Sequence, residues 1–180
     1  MLLGLFALTC AAQGLSFAVS AQAGEVLPSG LHQRGPNWGL GLGADYEWPG
    51  FRSGTTLFFG GGGDWGTFAL RADAAWLPLD GPWTPYLGGG IGFIGIGQKR
   101  PTRNEGEGIG PGYMELLPLL SLQAGAELLR DRGVHLMAGA QLDLPWSHPF
   151  DCNDPACTTG GGYVWKVRYP ILSLVGRLLF

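Results

Sequence analysis

The chain has 180 residues, 46% of them hydrophobic and 12% aromatic, yet only 14% charged. An ordinary soluble domain carries charge on about a quarter of its residues, so this one is short of groups to face water. Its net charge of -3 offers no basic field for nucleic acid, and its 33 glycines follow no three-residue collagen period.

The first apolar run, 2–19, ends at Ala21-Gln22-Ala23 ahead of Gly24-Glu25. Small residues at the first and third of these positions predict a secretory leader over 1–23, leaving 24–180 as the exported domain. No Lys or Arg precedes Arg34, so the basic start of such a leader is lacking. This points to a mis-assigned start or a truncated record. Cleavage after Ala12 is the alternative. It leaves 14–23 as an alternating stretch, with Leu15, Phe17, Val19 and Ala21 against Ser16, Ala18, Ser20 and Gln22. Cys10 lies in the leader after Ala7-Leu8-Thr9, a poor acylation site, and His32 lies in a stretch with no pattern. No later run reaches about 18 uninterrupted apolar residues, so no helical membrane span is expected.

Segment 37–48 alternates cleanly. One face is Trp38, Leu40, Leu42, Ala44, Tyr46 and Trp48; the other is Gly39, Gly41, Gly43, Asp45 and Glu47. Aromatics at both ends of an apolar face suit the two interfaces of a membrane. After a strand at 54–61, segment 65–77 repeats the pattern, with Phe68, Leu70, Ala72, Ala74 and Trp76 against Thr67, Arg71 and Asp73. A Gly-rich strand is expected over 83–97. The stretch 98–112 then carries Lys99, Arg100 and Arg103 followed by Glu105 and Glu107, a charged loop. Its glycines are not followed by Gly-Lys-Ser/Thr, so no phosphate loop is expected.

In 114–130 the even positions from Met114 to Leu128 are apolar, and Ser121, Gln123, Gly125 and Glu127 oppose them. In 133–146, Val134, Leu136, Ala138, Ala140, Leu142, Leu144 and Trp146 alternate with His135, Gln141 and Asp143. Period two persists through four segments and every charge falls on one face.

The stretch 147–163 holds Ser147, His148, Cys152 and Cys157. Two cysteines with four residues between them in an exported chain read as a local disulfide. Ligation through Asp151, Cys152, Asn153, Asp154 and Cys157 lacks a histidine and a second cysteine pair, so no metal is expected. Adjacent Ser147 and His148 point to opposite faces of a strand, and nothing supplies an oxyanion hole. No catalytic residue and no cofactor is therefore assigned.

The last strand, 164–180, sets Leu172, Leu174, Leu178 and Phe180 against Ser173 and Arg177, with Lys166 and Arg168 above the apolar part.

A terminal aromatic on the apolar face of a final strand resembles the assembly signal of bacterial outer-membrane β-barrels, here Leu174, Leu178 and Phe180. The run Thr84-Pro85-Tyr86-Leu87-Gly88-Gly89-Gly90-Ile91-Gly92-Phe93 resembles the small OmpA/OmpX-like family of eight-stranded barrels, over roughly 37–180. The resemblance implies an all-β, antiparallel up-and-down transmembrane barrel with a periplasmic C-terminus. Its expected partners are outer-membrane lipid and lipopolysaccharide, and the barrel-assembly machinery, with the protein a monomer. Lys166 and Arg168 would meet lipopolysaccharide phosphates, and Lys99, Arg100 and Arg103 either lipopolysaccharide or a host or cell-surface partner. Seven strands are counted back from the C-terminus, whereas bacterial barrels have an even number. Either 54–77 is one long strand, or 14–23 supplies an eighth.

Eight strands leave an interior just filled by side chains. Inward Asp45, Glu47, Asp73, Glu127 and Asp143 would be met by Arg71 and Arg177, with Gln123, His135 and Gln141 bridging. This reads as a salt-bridge plug, with a gated ion path as the alternative. A structural or surface-interaction role through loops 98–112 and 147–163 is expected, against small-solute or hydrophobic-compound transport and, more distantly, lipid modification. A soluble calycin-like barrel is the rival fold, with the same alternation turned inside out.

Overall fold

Alternation of large apolar with small or polar residues gives a strand two unlike faces, and burying one of them fixes its register. A computed structural model describes residues 14–27, 35–62, 65–98, 113–130, 132–146 and 170–180. Eight antiparallel strands follow one another around a closed barrel: β1 (Leu15–Val26), β2 (Gly35–Trp48), β3 (Phe51–Gly62), β4 (Trp65–Trp76), β5 (Trp83–Gln98), β6 (Tyr113–Leu128), β7 (His135–Pro145) and β8 (Ile171–Leu179). The expected architecture holds. The segment 54–77 is two strands, and β8 is described from 171, residues 164–169 of the expected last strand lying outside the described residues.

The eighth strand is β1. It overlaps the leader expected over 1–23, pairing with β2 from Leu15↔Tyr46 to Val26↔Gly35 and with β8 from Ala18↔Leu179 to Val26↔Ile171. A chain that began after Ala23 would lose most of this strand and leave β2 and β8 as open edges. Its inward positions, Ala18, Ser20 and Gln22, are small or uncharged. That is why it reads as a leader's apolar core.

The register also sets the tilt. A row of directly paired outward residues starts at Trp48 and passes through Phe51, Trp76, Leu87, Ala124, Ala140, Leu174 and Ala23. It returns to β2 at Trp38, ten residues from where it began. At about 3.3 Å per residue and about 4.8 Å between strands, that offset over eight strands tilts each by about 40°. The row climbs from the end that carries the C-terminus to the opposite end.

Short connections join β2 to β3, β4 to β5 and β6 to β7 at the C-terminal end. Pro49 followed by Gly50 at φ 77° matches the type II turn signature. Leu129 takes φ 62° as it leaves β6, and its carbonyl accepts from the Arg132 N–H at 3.0 Å.

The faces settle the rival fold. Leu40 and Leu42 are each 65% exposed, while Asp45, on the opposite face of β2, is 3% exposed. The apolar surface is outside and the charges are inside, the inverse of a calycin. Trp48, Phe51, Trp76 and Trp83 ring one edge of the apolar band; Trp38, Phe59 and Phe93 stand near the other. Tyr46 meets Trp48 edge to face at 5.0 Å. No helix among the described residues is long and apolar enough to cross a membrane.

Leu42 lies between the Trp48 and Trp38 girdles, near the middle of the band, whereas Leu128 is at its inner edge. Leu42→Arg should lower the stability of the barrel refolded into lipid vesicles by about 2–4 kcal/mol, and Leu128→Arg by under about 1 kcal/mol. Denaturant unfolding of both variants in vesicles measures this.

Candidate functional site in the barrel lumen

The inward faces stack into tiers. At the inner end, the tight β2–β3 turn places Glu47 and Arg52 directly opposite each other, both inward. Arg52 donates to Glu47 and, across the lumen, to Glu127 Oε1 at 2.8 Å; its Nη1 lies 3.1 Å from Met137 Sδ. Arg130 reaches back from the β6–β7 connection to donate to Glu47 Oε1 at 2.5 Å and to the Leu79 carbonyl at 2.8 Å. His135 Nδ1 is 2.8 Å from Glu127 Oε1.

Next outward, Arg177 on β8 donates to Asp45 Oδ1 on β2 at 2.6 Å, passing over β1. Thr56 donates to Asp73 Oδ2 at 3.2 Å. The third tier centres on Asp143. It accepts from Arg71 at 3.1 Å, from Ser121 at 2.6 Å and from Gln141 at 2.9 Å. Gln22 donates to Ser173 at 2.8 Å beside it, and the Arg71 guanidinium sits 5.7 Å from the centroid of the Phe58 ring.

Above Phe58 the lumen is mostly apolar, although Thr67 donates to Asn37 Oδ1 at 3.1 Å there and Glu115 is buried nearby. Val26, Ile94, Ile96, Leu117, Leu119 and Ile171, from the outer ends of their strands, pack with Phe58 into one buried cluster. A second cluster, with Leu77, Tyr86, Met137 and Leu179, surrounds the inner tiers. Between the tiers lies a cavity of about 20 Å³, lined in part by Arg71, Asp73, Tyr86, Gln123 and Arg177. That holds about one water molecule. The Nε atoms of Arg71 and Arg177 are buried without a protein partner, a need one such water can meet. Inward glycines let these groups lie against the wall: a Cβ on Gly54 would overlap Asp45 Oδ1, and one on Gly90 would overlap Asp73 Oδ1.

The structure thus places Asp45, Glu47, Arg71, Asp73, Glu127, His135, Asp143 and Arg177 in the lumen, with Gln141 bonded to Asp143, His135 to Glu127, and Gln123 at the cavity. Two residues were missing from the expected set. Arg52 precedes the strand read as 54–61, although it shares the inward parity of Thr56 and Phe58. Arg130 belongs to a connection, where no alternation marks direction. Without these two, Glu47 and Glu127 would have no arginine. Glu47, Glu127 and His135 also present ligand atoms within 4.8 Å of one another. Two guanidiniums already occupy their carboxylates, so a cation there would meet like charge.

Phe180 is tied to β1: its N–H and carbonyl bond with those of Phe17 at 3.0 and 2.9 Å. Leu174 and Leu178 face outward. Lys99, Arg100, Arg103, Ser147, His148, Cys152, Cys157, Lys166, Arg168 and His32 lie outside the described residues.

Arg71 and Asp143 are both at least 96% buried. Removing one partner strands the other charge, so Arg71→Ala should cost about 3–5 kcal/mol. The double variant Arg71→Met/Asp143→Leu should recover most of that loss. Vesicle unfolding of both variants checks it.

No family profile matches the sequence, and no curated protein resembles it in sequence. Solved structures do resemble it. Neisserial surface protein A (NspA) superposes with a TM-score of 0.66 at 14% identity, over 92% of this chain and 96% of that one. The N-terminal barrel domain of Pseudomonas aeruginosa OprF gives 0.49 at 13%, over 91% and 96%. Ail, the attachment invasion locus protein of Yersinia pestis, gives 0.45 at 12%, over 92% and 96%. The likeness to NspA joins the closed eight-strand register, the apolar exterior and the filled interior: this chain has the fold of the small, OmpA/OmpX-like outer-membrane β-barrel proteins.

Proposed function

We propose that the protein is a closed outer-membrane barrel that works as a surface-interaction or structural element through its outer loops, 98–112 and 147–163. The closed lumen carries this reading. Three tiers of paired charge and an apolar cap fill it, and the cavity between the tiers has room for about one water. A solute path would have to break several buried ion pairs at once. NspA, whose name makes it a surface protein, has the same fold and supports a role at the cell surface.

The remaining parts follow from that role. The leader is removed upstream of Gly14, after Ala12, so that β1 stays with the barrel. Leu174, Leu178 and Phe180 form the signal read by the barrel-assembly machinery. Cys152 and Cys157 close a disulfide that pins the last outer loop. Lys99, Arg100, Arg103, Lys166 and Arg168 contact the phosphates of lipopolysaccharide. The protein acts as a monomer and carries out no catalysis.

In planar bilayers the purified protein should give no stable conductance; steady single-channel steps would favour transport instead. Replacing 98–112 and 147–163 with short Gly-Ser turns should leave a heat-modifiable band but lower binding to immobilised lipopolysaccharide at least fivefold. Deleting Phe180 should lower the heat-modifiable fraction in the outer membrane at least tenfold, read on gels with and without boiling.

A further inference from the structure

We propose that the outer wall of the barrel seats one acyl chain of lipid A in a fixed groove running from the middle of the membrane to its outer face. This rests on the orientation given above, with the long loops outside.

A depression of about 580 Å³ crosses the lipid-facing wall from β3 to β7. Thr55, Ala72 and Pro118 line it with compact side chains, while Ile91 and Phe93, 68% and 54% exposed, stand up as ridges, and Trp146 lines its outer end. Its course follows the sheet register. Thr55, Ala72, Ile91 and Leu120 are successive cross-strand partners, as are Leu70, Phe93 and Pro118. Trp146 N–H donates to the Pro118 carbonyl at 2.9 Å and continues the second row onto β7.

Dimensions and direction select the occupant. Four strand spacings make the groove roughly 19 Å long. Rows of paired residues climb outward in the direction β3 to β7, so at about 40° of strand tilt it rises roughly 12 Å. The apolar half of a bilayer core is about 15 Å deep. Thr55 lies four residues from Phe51 of the inner girdle, roughly 10 Å up a band about 25 Å tall. The groove therefore begins near the midplane and runs up through the outer leaflet. In the outer membrane that leaflet is lipopolysaccharide, whose acyl chains enter from the Trp146 end. Lipid offers no hydrophobic drive against lipid, so the chain is held by packing along the groove.

The full chain, extracted from outer membranes in mild detergent, is weighed intact by native mass spectrometry to count retained lipopolysaccharide. Ala72→Phe fills the groove. Ala140→Phe makes the same change on a lipid-facing position outside it. Both variants are first checked for the heat-modifiable band. Ala72→Phe should cut retained lipopolysaccharide at least fivefold, and Ala140→Phe should leave it within twofold. Equal loss in both variants, or loss in neither, would overturn the groove. Phospholipid retained and displaced by Ala72→Phe would overturn lipid A as its occupant. The same dependence on Ala72 with the outer loops replaced would support the groove even where loop binding fails.

Discussion

Hydrocarbon cannot hydrogen-bond a peptide group, so every N–H and C=O of a membrane-crossing strand must find its partner in a neighbouring strand. This requirement organises the whole molecule. β1 and β8 are the ends of the sheet in sequence, and their pairing leaves no edge exposed to lipid. In this register residues 15–26 supply the strand that closes the sheet.

Closure then fixes the interior. Eight strands with a ten-residue offset enclose a lumen only wide enough for side chains to fill. The outward faces must be apolar, so the alternating positions left over are those that can be polar, and they point into that narrow space. Charges placed there are out of water and need partners. The chain answers with arginines set against carboxylates from other strands, and with inward glycines where a charged group must lie flat, as at Gly54 and Gly90. Toward the outer mouth, aliphatic side chains take over the filling, with Phe58 and Arg71 at the boundary.

What could be read from the sequence follows the range of each interaction. The faces of β2, β4, β6 and β7 are local, since lipid outside and period two suffice to assign them, and each expected outward residue that is described faces out. Which carboxylate meets which arginine is not local. Arg71 reaches Asp143 and Arg52 reaches Glu127 only because the offset of the sheet brings those levels together. Arg52 was hidden by a strand start placed three residues late. β1 could be read two ways, as strand or as leader, because a strand whose inward positions are Ser, Ala and Gln is as apolar on average as a leader.

The ion pairs have a second consequence, which separates them from mere filling. Arg71–Asp143 joins β4 to β7, Arg52–Glu127 joins β3 to β6, and Arg177–Asp45 joins β8 to β2. None of these strand pairs is hydrogen-bonded. A one-residue slip between neighbouring strands would turn charges to lipid and is excluded by the faces alone. A two-residue slip keeps every face correct and costs the backbone few bonds, so alternation cannot forbid it. It would, however, move Asp143 or Glu127 by roughly 7 Å along its strand and leave a buried charge unmatched. The lumen network thus supplies the part of the register that the membrane cannot, and this is the sense in which a plugged interior is more than an absent pore.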